Sequence, residues 1–388
     1  MKYIALMMLL FSTLLYAQHL NKIRILDSEE GNPIANARVL FHGEIAYSNG
    51  DGFIMIPQNT NEVEVSKSGY NTIKINKMPS VIRLSPAYKE IEEIKIVNVD
   101  IRKIFIDVHK NYKKVYNTDP SIYEIVYKQK DYFNDSLSFL LIADAQVWTA
   151  DNSYNFKAAQ EKEYDGFVQL ELNSLKHLNS SILGNNICEG YSINQSRDFV
   201  GNLFFNYELR RTLNYFRIEG AKYSGRLIRE NGNEQIINFK ISTSIIDVYG
   251  LITYNKIDKA ITNYEINYDQ SKFPAEKRIT STNESFEYKV GNGVIIYEFY
   301  KTSKKYLPSF MKTRGYSYCI YGGVQNKNAF DREIIFRRHQ KAKTSGLVDR
   351  IDLNKKIWEN IPTRQTNQNN IILSREEERF LNETAYEN

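Results

Sequence analysis

Five histidines are the residues best suited to hold a catalytic metal, and their spacing argues against that role. A zinc-dependent hydrolase places histidine and acidic ligands a few residues apart. None of the five has a second histidine or a glutamate three or four residues away. They are His19, His42, His109, His177 and His339. The sequence therefore predicts no metal site.

Signatures of other catalytic sites are also missing from the sequence. It contains no G-x-S-x-G for a serine nucleophile, no G-x-x-x-x-G-K for a phosphate and no G-x-G-x-x-G for a dinucleotide. The carboxylates of Asp144, Asp247 and Asp258 could serve acid–base chemistry only if the fold brought two of them together. We predict a non-enzymatic protein with no catalytic residue, no cofactor-binding residue and no cofactor. A hydrolase with an unrecognised acidic site is kept as an alternative.

A basic and aromatic stretch, YKTSKKYLPSFMKTRGYSY at residues 300–318, could contact an acidic glycan or a lipid head group. Its charged side chains alternate with tyrosines. They are Lys301, Lys304, Lys305, Lys312 and Arg314, among Tyr300, Tyr306 and Tyr316. The polar face of a β-hairpin would have the same composition, and we favour that interpretation.

Composition excludes one class of partner and favours one class of fold. Lysine and arginine number 51 against 46 acidic residues in a chain of 388, so no strong positive field would recruit a nucleic acid. The 28 tyrosines and 20 phenylalanines favour strands with a half-exposed face. We therefore expect a mainly β chain, long enough for two domains and a tail.

The N-terminal residues MKYIALMMLLFSTLLYAQ predict a secretory signal peptide. Lys2 precedes an apolar run from Ile4 to Leu15, and we expect cleavage near Ala17. The run is shorter than the roughly 20 residues that span a bilayer, and we expect no transmembrane helix in the mature chain. No cysteine follows the run, so lipid modification there is not expected. The mature chain should be exported, either to the periplasm or outer membrane or into the medium.

The two cysteines, Cys188 and Cys319, are too few for a disulfide scaffold. In an oxidising compartment they could form one bridge within the second domain. Two separate buried thiols are the alternative, and the sequence does not decide between them.

Residues 23–85 have the pattern of short strands separated by turns. Residues 38–41 and 62–65 alternate between apolar and polar side chains, as strands with one buried face do. Pro33 lies in a connection, where a strand loses no hydrogen bond to it. The region predicts a small antiparallel sandwich of about seven strands.

The loop AYSNGDGFIMI at residues 46–56 could be an ion site or a corner between strands. A calcium loop needs several oxygen ligands, and Asp51 is the single carboxylate between Glu44 and Glu62. We therefore interpret Asn49-Gly50 and Asp51-Gly52 as positive-φ steps that turn the chain.

Four motifs in this order resemble the carboxypeptidase regulatory-like domain, a transthyretin-like β-sandwich, over residues 22–85. They are ILDSEEGNPIANARVLFHG, AYSNGDGFIMI, VEVSKSGYNTIKI and VIRLSP. The family pattern has a Gly-x-Pro segment running into Ala-x-Val, then an Asp-Gly corner and a Gly-Tyr pair. The matching residues are Gly31, Pro33, Ile34, Ala37, Val39, Asp51, Gly52, Phe53, Ile56, Gly69 and Tyr70.

The resemblance implies a domain without catalytic activity of its own. Such domains occur beside metallocarboxypeptidases, in exported adhesive or structural proteins, and at the N-termini of TonB-linked outer-membrane receptors of Gram-negative bacteria. The following SPAYKEIEEIKIVN resembles the strand by which such receptors leave the domain. Only about 290 residues remain after Asn98, too few for a complete receptor with its plug and transmembrane strands.

The second domain should begin with a helix and continue as a sheet. Asp100 is a candidate N-cap for a helix whose apolar residues share one face. They are Ile101, Ile104, Phe105, Val108, Tyr112 and Val115. Beyond Pro120, long alternating segments, with a turn at residues 255–259, predict an antiparallel curved sheet. Residues 174–215 are less regular, and the stretch DFVGNLFFNYELRRTLNYF at residues 198–216 could form a helix or a lid over the concave face.

A hairpin in this sheet resembles lipoprotein-carrier-like β domains of Gram-negative envelope proteins, over residues 100–340 at most. The matching residues are Tyr249, Gly250, Ile252, Tyr254, Lys259, Ala260, Ile261 and Glu265. In the tail, TRQTNQNN predicts a polar linker, and Ser374 to Glu377 predicts a capping box that opens a short helix.

The expected fold is mainly β: a small N-terminal antiparallel β-sandwich, then a larger antiparallel curved β-sheet domain with a leading α-helix. The expected parts are a signal peptide at 1–17, the sandwich at 18–86, a linker strand at 87–99, the β-rich domain at 100–345 and the tail at 346–388. We expect a non-enzymatic envelope protein. Its sandwich would be an interaction or spacer module, and its β-rich domain would bind a protein partner or an apolar ligand. An accessory component of a TonB-linked outer-membrane uptake system is the alternative.

Overall fold

The computed structural model describes most of the chain, in two compact units. The described residues are 20–87, 97–153, 166–180, 203–280, 283–302, 304–343, 346–353, 355, 357–360 and 372–385. The first unit comprises residues 20–87 and 372–375, and the second comprises the remaining described residues. The expected signal peptide at 1–17 lies outside the described residues. None of the described helices combines the length and apolar character that crossing a membrane requires.

Seven strands build the first unit. They are β1 (Leu20–Asp27), β2 (Arg38–Phe41), β3 (Glu44–Tyr47), β4 (Phe53–Pro57), β5 (Val63–Ser66), β6 (Ile73–Ile75) and β7 (Val81–Leu84). One sheet has the order β4-β1-β7 and the other the order β3-β2-β5-β6. Buried residues of both sheets, such as Ile25 and Val39, belong to one hydrophobic core. The expected sandwich is confirmed.

One strand pair in the sandwich departs from the expected antiparallel pattern. β1 and β7 are parallel, with Arg24 opposite Val81 and Asp27 opposite Leu84. β7 comes directly after β6, which belongs to the other sheet. The chain therefore crosses from one sheet to the other between β6 and β7, and β7 then pairs with β1. Alternation of side chains shows which residues face the core and does not reveal the direction of the neighbouring strand.

The loop at residues 48–52 joins β3 in one sheet to β4 in the other, so the expected corner is confirmed. The Gly52 N–H donates to Asn49 O at 3.0 Å, and the Asn49 N–H donates to Phe53 O at 2.8 Å. Gly52 has a φ of +78°, and a Cβ there would lie 2.6 Å from Ile25 O, so glycine is required. Gly50 does not have a positive φ, so only one of the two expected steps occurs.

Twelve strands build the sheet of the second unit. They are β8 (Val97–Asn98), β9 (Ser121–Phe133), β10 (Ser136–Thr149), β11 (Val168–Ser180), β12 (Lys222–Asn231), β13 (Glu234–Ser242), β14 (Asp247–Asn255), β15 (Ala260–Tyr268), β16 (Glu276–Ile279), β17 (Ser285–Lys301), β18 (Tyr306–Tyr321) and β19 (Val324–Lys341). Their order is β11-β10-β9-β19-β18-β17-β15-β14-β13-β12-β8, with β16 beside β17. The pairs are antiparallel, as expected. Of the expected linker strand, residues 97–98 form the edge strand β8 of this sheet.

Among the described residues, two helices pack on one face of this sheet, which we call the inner face. α1 (Ile101–Val115) is the expected leading helix, and the side chain of its N-cap Asp100 accepts from the Lys103 N–H at 2.9 Å. α2 (Phe205–Tyr215) comes from the stretch whose structure the sequence left open. Buried residues of both helices, among them Phe105 and Leu209, join inner-face strand residues in one core.

A glycine allows an aromatic ring to close this core. Phe239 on β13 stands opposite Gly250 on β14. A Cβ at position 250 would lie 2.6 Å from the Phe239 ring and 2.1 Å from Glu265 O. The ring is fully buried and packs edge to face on Phe105 at a centroid distance of 5.5 Å.

The turn expected at residues 255–259 is also present. β14 ends at Asn255, whose Oδ1 accepts from the Ile257 and Asp258 N–H groups at 3.1 and 3.0 Å. Lys259 has a φ of +53°, and β15 begins at the next residue. The side-chain oxygen of Asn255 thus accepts from two N–H groups of the turn that have no main-chain acceptor among the described residues.

The tail contains the expected short helix, α3 (Arg375–Ala385). Glu377 is the residue that we expected to close a capping box. The structure gives its side chain a contact with the sheet: Oε1 accepts from Lys128 Nζ at 2.8 Å. Cys319 is buried and disulfide-bonded. The other cysteine, Cys188, lies outside the described residues.

Candidate functional site

A cavity of about 30 Å³ lies at the inner face, where the end of α1 meets α2 and the sheet. Nine aromatic side chains line it, including Tyr112, Tyr116, Phe205, Tyr297, Phe299 and Phe336. Several of these rings touch: Tyr116 lies 5.0 Å from Phe299 and 5.7 Å from Phe205 between centroids. We call this space the aromatic cavity. Its size corresponds to about two to three water molecules, at the 10–15 Å³ that each needs.

One wall of the aromatic cavity is polar and uncharged. Asn117, Tyr123, Thr149 and Asn152 lie along it. Asn152 Nδ2 donates to Tyr123 Oη at 2.7 Å and to Asn117 O at 3.1 Å. Burial raises the pKa of the Tyr123 hydroxyl, which stays protonated near neutral pH.

The Thr149 hydroxyl is the unusual group in this wall. Thr149 is 1% exposed, and its Oγ1 has no hydrogen-bond partner among the described residues. An unpaired buried hydroxyl costs about 1–3 kcal/mol, so such groups normally have a partner.

Behind the polar wall, Ser121 and His339 form a pair that superficially resembles a nucleophile and its base. Ser121 Oγ lies 3.1 Å from His339 Nε2. However, the Ser121 hydroxyl donates its proton to Asp119 O at 2.7 Å and accepts from Asn117 Nδ2 at 2.8 Å. The imidazole must then donate to the hydroxyl, whereas a general base accepts from it. These hydrogen bonds fix the first residue of β9 and do not activate a nucleophile.

His339 is expected to stay neutral in this position. Its burial lowers the pKa of the imidazole, and the nearby carboxylate of Asp119 offsets only part of that effect. Among the other histidines, His42 has a φ of +47° beside β2, and His109 lies on α1. No group of three potential metal ligands occurs among the described residues.

A buried acidic residue, Glu208 on α2, fastens that helix to the sheet. Its carboxylate accepts from Tyr268 at 2.6 Å and from Tyr264 at 3.3 Å, and it pairs with Arg211 at 2.6 Å. The Glu208 side chain is 1% exposed. The guanidinium of Arg211 also lies 4.9 Å from the centre of the Tyr268 ring. We call this group the Glu208 cluster; its contacts are those of a structural anchor.

The opposite face of the sheet, the outer face, carries a patch of paired charges. Lys128, Glu333 and Lys312 stand side by side on β9, β19 and β18. Lys312 Nζ lies 2.7 Å from Glu333 and 3.0 Å from Asp331. Burial by itself raises the pKa of Glu333, but Lys312 and Lys128 outweigh it, so this pKa lies below its usual value. The pKa of Asp331 is raised by burial and by the neighbouring Glu333.

The basic and aromatic stretch at residues 300–318 is a hairpin arm, as we favoured. Most of its described lysines have partners inside the fold. Lys301 pairs with Asp258 at 2.6 Å, and Lys305 donates to Lys113 O and Tyr116 O. Lys312 is also paired, on the outer face. The stretch at residues 300–318 therefore has few unpaired charges left for an acidic ligand.

The three candidate acids do not converge. Asp144 is on β10, whereas Asp247 opens β14, six strand positions away in the sheet. Asp258 lies beyond the other end of β14, and the strand from Asp247 to Asn255 spans about 26 Å at 3.3 Å per residue. Each has a basic partner: Arg337, Lys272 and Lys301 respectively.

In the first unit, the corner loop of residues 48–52 binds a segment of the tail. Asn49 Nδ2 donates to Leu373 O at 3.0 Å, and the Arg375 N–H donates to Asp51 Oδ2 at 2.9 Å. Asn49 Oδ1 accepts from the N–H groups of Asp51 and Phe53, which holds its amide in place. The sequence identified this loop as a corner and gave no sign that it binds the tail.

Asp27 at the end of β1 is a second ordered acid of the sandwich. The Asp27 carboxylate accepts from the N–H groups of Glu30 and Glu29 and from the Tyr70 hydroxyl. These hydrogen bonds lower the pKa of Asp27 below the usual 3.8. Its contribution to stability should be complete at about pH 6, well above the usual pKa of 3.8, and should decrease as the pH falls through that value. Asp27→Asn should therefore destabilise the protein at pH 6, and the difference from the unmodified protein should shrink at pH 3. Urea unfolding at both pH values measures this; a constant difference would contradict it.

Comparison with known proteins adds little to this picture. No protein-family model matches the chain, and no curated protein matches it. A crystal structure from Bacteroides fragilis, whose description suggests membrane association and states that the function is unknown, aligns with 82% of this chain and 97% of its own. The two are 8% identical, with a TM-score of 0.15, and a likeness that weak carries no argument about fold or function.

Proposed function

We propose that this chain is a non-enzymatic, exported protein of the cell envelope, and that its sandwich binds an extended segment of a protein partner. The corner loop carries the proposal, because it already holds residues 373–375. The signal-like N-terminus supports export. The resemblance of residues 22–85 to regulatory-like domains supports a module without chemistry of its own.

The corner loop contacts main-chain groups of the tail segment. Asn49 meets a carbonyl, and Asp51 meets an N–H two residues further along. Recognition through main-chain groups depends on the backbone conformation of the bound segment more than on its side chains, as in other peptide-binding modules. A partner segment that presents a carbonyl and an N–H at this spacing would bond to the same two side chains in place of residues 373–375.

A protein partner fits the second unit better than a large apolar ligand. α1 and α2 occupy the described inner face, with Phe105, Tyr116 and Phe205 in contact with sheet residues. The aromatic cavity is about 30 Å³, whereas sites for drug-sized ligands are about 300–1,000 Å³. A lipid-sized molecule would require the helices to leave the sheet.

Native mass spectrometry of the protein recovered from its own envelope tests the proposal. We expect the chain without residues 1–17, in complex with another protein. Asp51→Ala should reduce the retained partner at least tenfold. Asn61→Ala, an exposed polar position elsewhere in the sandwich, is the matched control and should retain it. A bare chain, or equal retention by both variants, would contradict the proposal.

Hydrogen exchange separates the local contact from partner binding. Asp51→Ala removes the acceptor of the Arg375 N–H, so this amide should exchange at least about tenfold faster, while Asn61→Ala leaves it unchanged. If exchange changes as expected and no partner is found, the loop organises only the tail of its own chain.

A further inference from the structure

The aromatic cavity combines three properties that belong to a binding site. Nine aromatic side chains line it, it has one polar wall, and that wall contains the unpaired hydroxyl of Thr149. Thr149 is 99% buried, so bulk water does not satisfy this hydroxyl. A bound molecule with a hydrogen-bonding group would.

The polar wall determines which hydrogen bonds that molecule can make. The donor groups of Asn117 and Asn152 are already engaged with Ser121, Tyr123 and main-chain oxygen. Their amide oxygens have no hydrogen-bond partner among the described residues and are acceptors. A hydroxyl group suits this wall, because it can donate to an amide oxygen and also bond to Thr149.

The lining also sets the charge of the ligand. No charged side chain lines the aromatic cavity among the described residues. Transfer of an ion into such a space is strongly unfavourable without an opposite charge, although aromatic faces attract cations. An uncharged ligand avoids this cost.

We propose that the aromatic cavity binds the hydroxyl end of a small uncharged alcohol, of about three non-hydrogen atoms. The alkyl part lies against Tyr116, Phe205 and Phe299, and the hydroxyl lies at Thr149 and the two asparagines. This site is separate from the corner loop and does not depend on the partner proposed above.

Saturation-transfer difference NMR with ethanol on the full chain tests the site, because it detects weak ligands of large proteins. Ethylammonium is the matched probe, with the same number of non-hydrogen atoms and a charge. We expect ethanol to bind in the millimolar range, in keeping with the limited affinity of ligands this small. Ethylammonium should bind at least tenfold more weakly.

Two substitutions locate the binding. Thr149→Val keeps the shape and removes the hydroxyl, so ethanol affinity should fall at least fivefold, and Thr149→Ser should restore it. Thr313→Val is the control, because Thr313 is also buried with an unpaired hydroxyl but does not line the cavity. Near-UV circular dichroism reports whether each variant is folded. If Thr149→Val does not fold, Asn152→Ala replaces it with the same expected loss.

Three results would overturn the inference. They are no ethanol signal at concentrations up to 100-fold above the protein, equal binding of ethylammonium, and equal ethanol affinity in Thr149→Val and Thr313→Val. The first would mean that the cavity holds water only. The second would indicate an aromatic cation site, and the third would place the ethanol elsewhere.

Discussion

Replacing Gly250 by alanine is expected to lower the free energy of unfolding by about 3 kcal/mol, among the largest effects of a single substitution in this chain. The added Cβ would lie 2.1 Å from Glu265 O and 2.6 Å from the Phe239 ring. Glu265 O is a main-chain atom of the neighbouring strand, so it cannot move without disturbing the β14–β15 pairing. Phe239 has no free space either, because it is fully buried against Phe105.

Urea unfolding followed by circular dichroism measures this loss. Gly166→Ala is the matched control, because a Cβ there has no atom within 4 Å and the φ of Gly166 is not positive. Phe239→Leu in the Gly250→Ala background should recover part of the stability, since it removes one of the two clashes. Equal unfolding midpoints for Gly250→Ala and Gly166→Ala would show that the ring and strand adapt.

Glu208→Ala is expected to destabilise the second unit by about 3 kcal/mol. The substitution leaves the Arg211 guanidinium and the Tyr268 hydroxyl without their acceptor, and Tyr264 keeps only its contact with the Thr212 hydroxyl. Burial by itself lowers the pKa of Arg211, but the carboxylate of Glu208 outweighs this effect, so the pKa of Arg211 lies well above its usual value. Arg211 therefore stays charged, and removal of its partner leaves an uncompensated charge beside the core.

Two further variants separate the charge from the hydrogen bonds. Glu208→Gln keeps an acceptor for the tyrosines and should lose less stability than Glu208→Ala. Combined Glu208→Leu and Arg211→Leu removes both charges and should recover at least half of the loss, as replacements of buried ion pairs often do. Glu219→Ala, at an exposed position just after α2, is the control and should stay within about 0.5 kcal/mol of the unmodified protein. A Glu208→Ala variant as stable as this control would show that the anchor is dispensable.

The local elements of the fold were predictable because their signals are local. Alternation in residues 38–41 and 62–65 predicted β2 and β5. Asp100 and the apolar residues at helical spacing predicted α1, whose N-cap bond is present. The parallel pairing of β1 and β7 was not predictable, because both directions bury the same side chains.

The candidate sites could not be predicted, because their members are far apart in sequence. Thr149 of the aromatic cavity and Phe299 in its wall are brought together only by the order of the sheet and the packing of α1 and α2. Glu208 gave no signal that it would be buried, and Lys312 gave none that it would be paired. Charge along a strand shows neither which residue lies opposite nor what covers it.

The sequence by itself determined where the strands and α1 form, which of their residues are apolar, and that residues 48–52 turn the chain. Backbone geometry and alternation act over a few residues, so they can be read directly. The tertiary structure decided what that corner holds, where Thr149 and Glu208 point, and which charges are neutralised. Those properties depend on contacts between residues as many as 324 positions apart, as between Asp51 and Arg375, and such contacts exist only after the chain has folded.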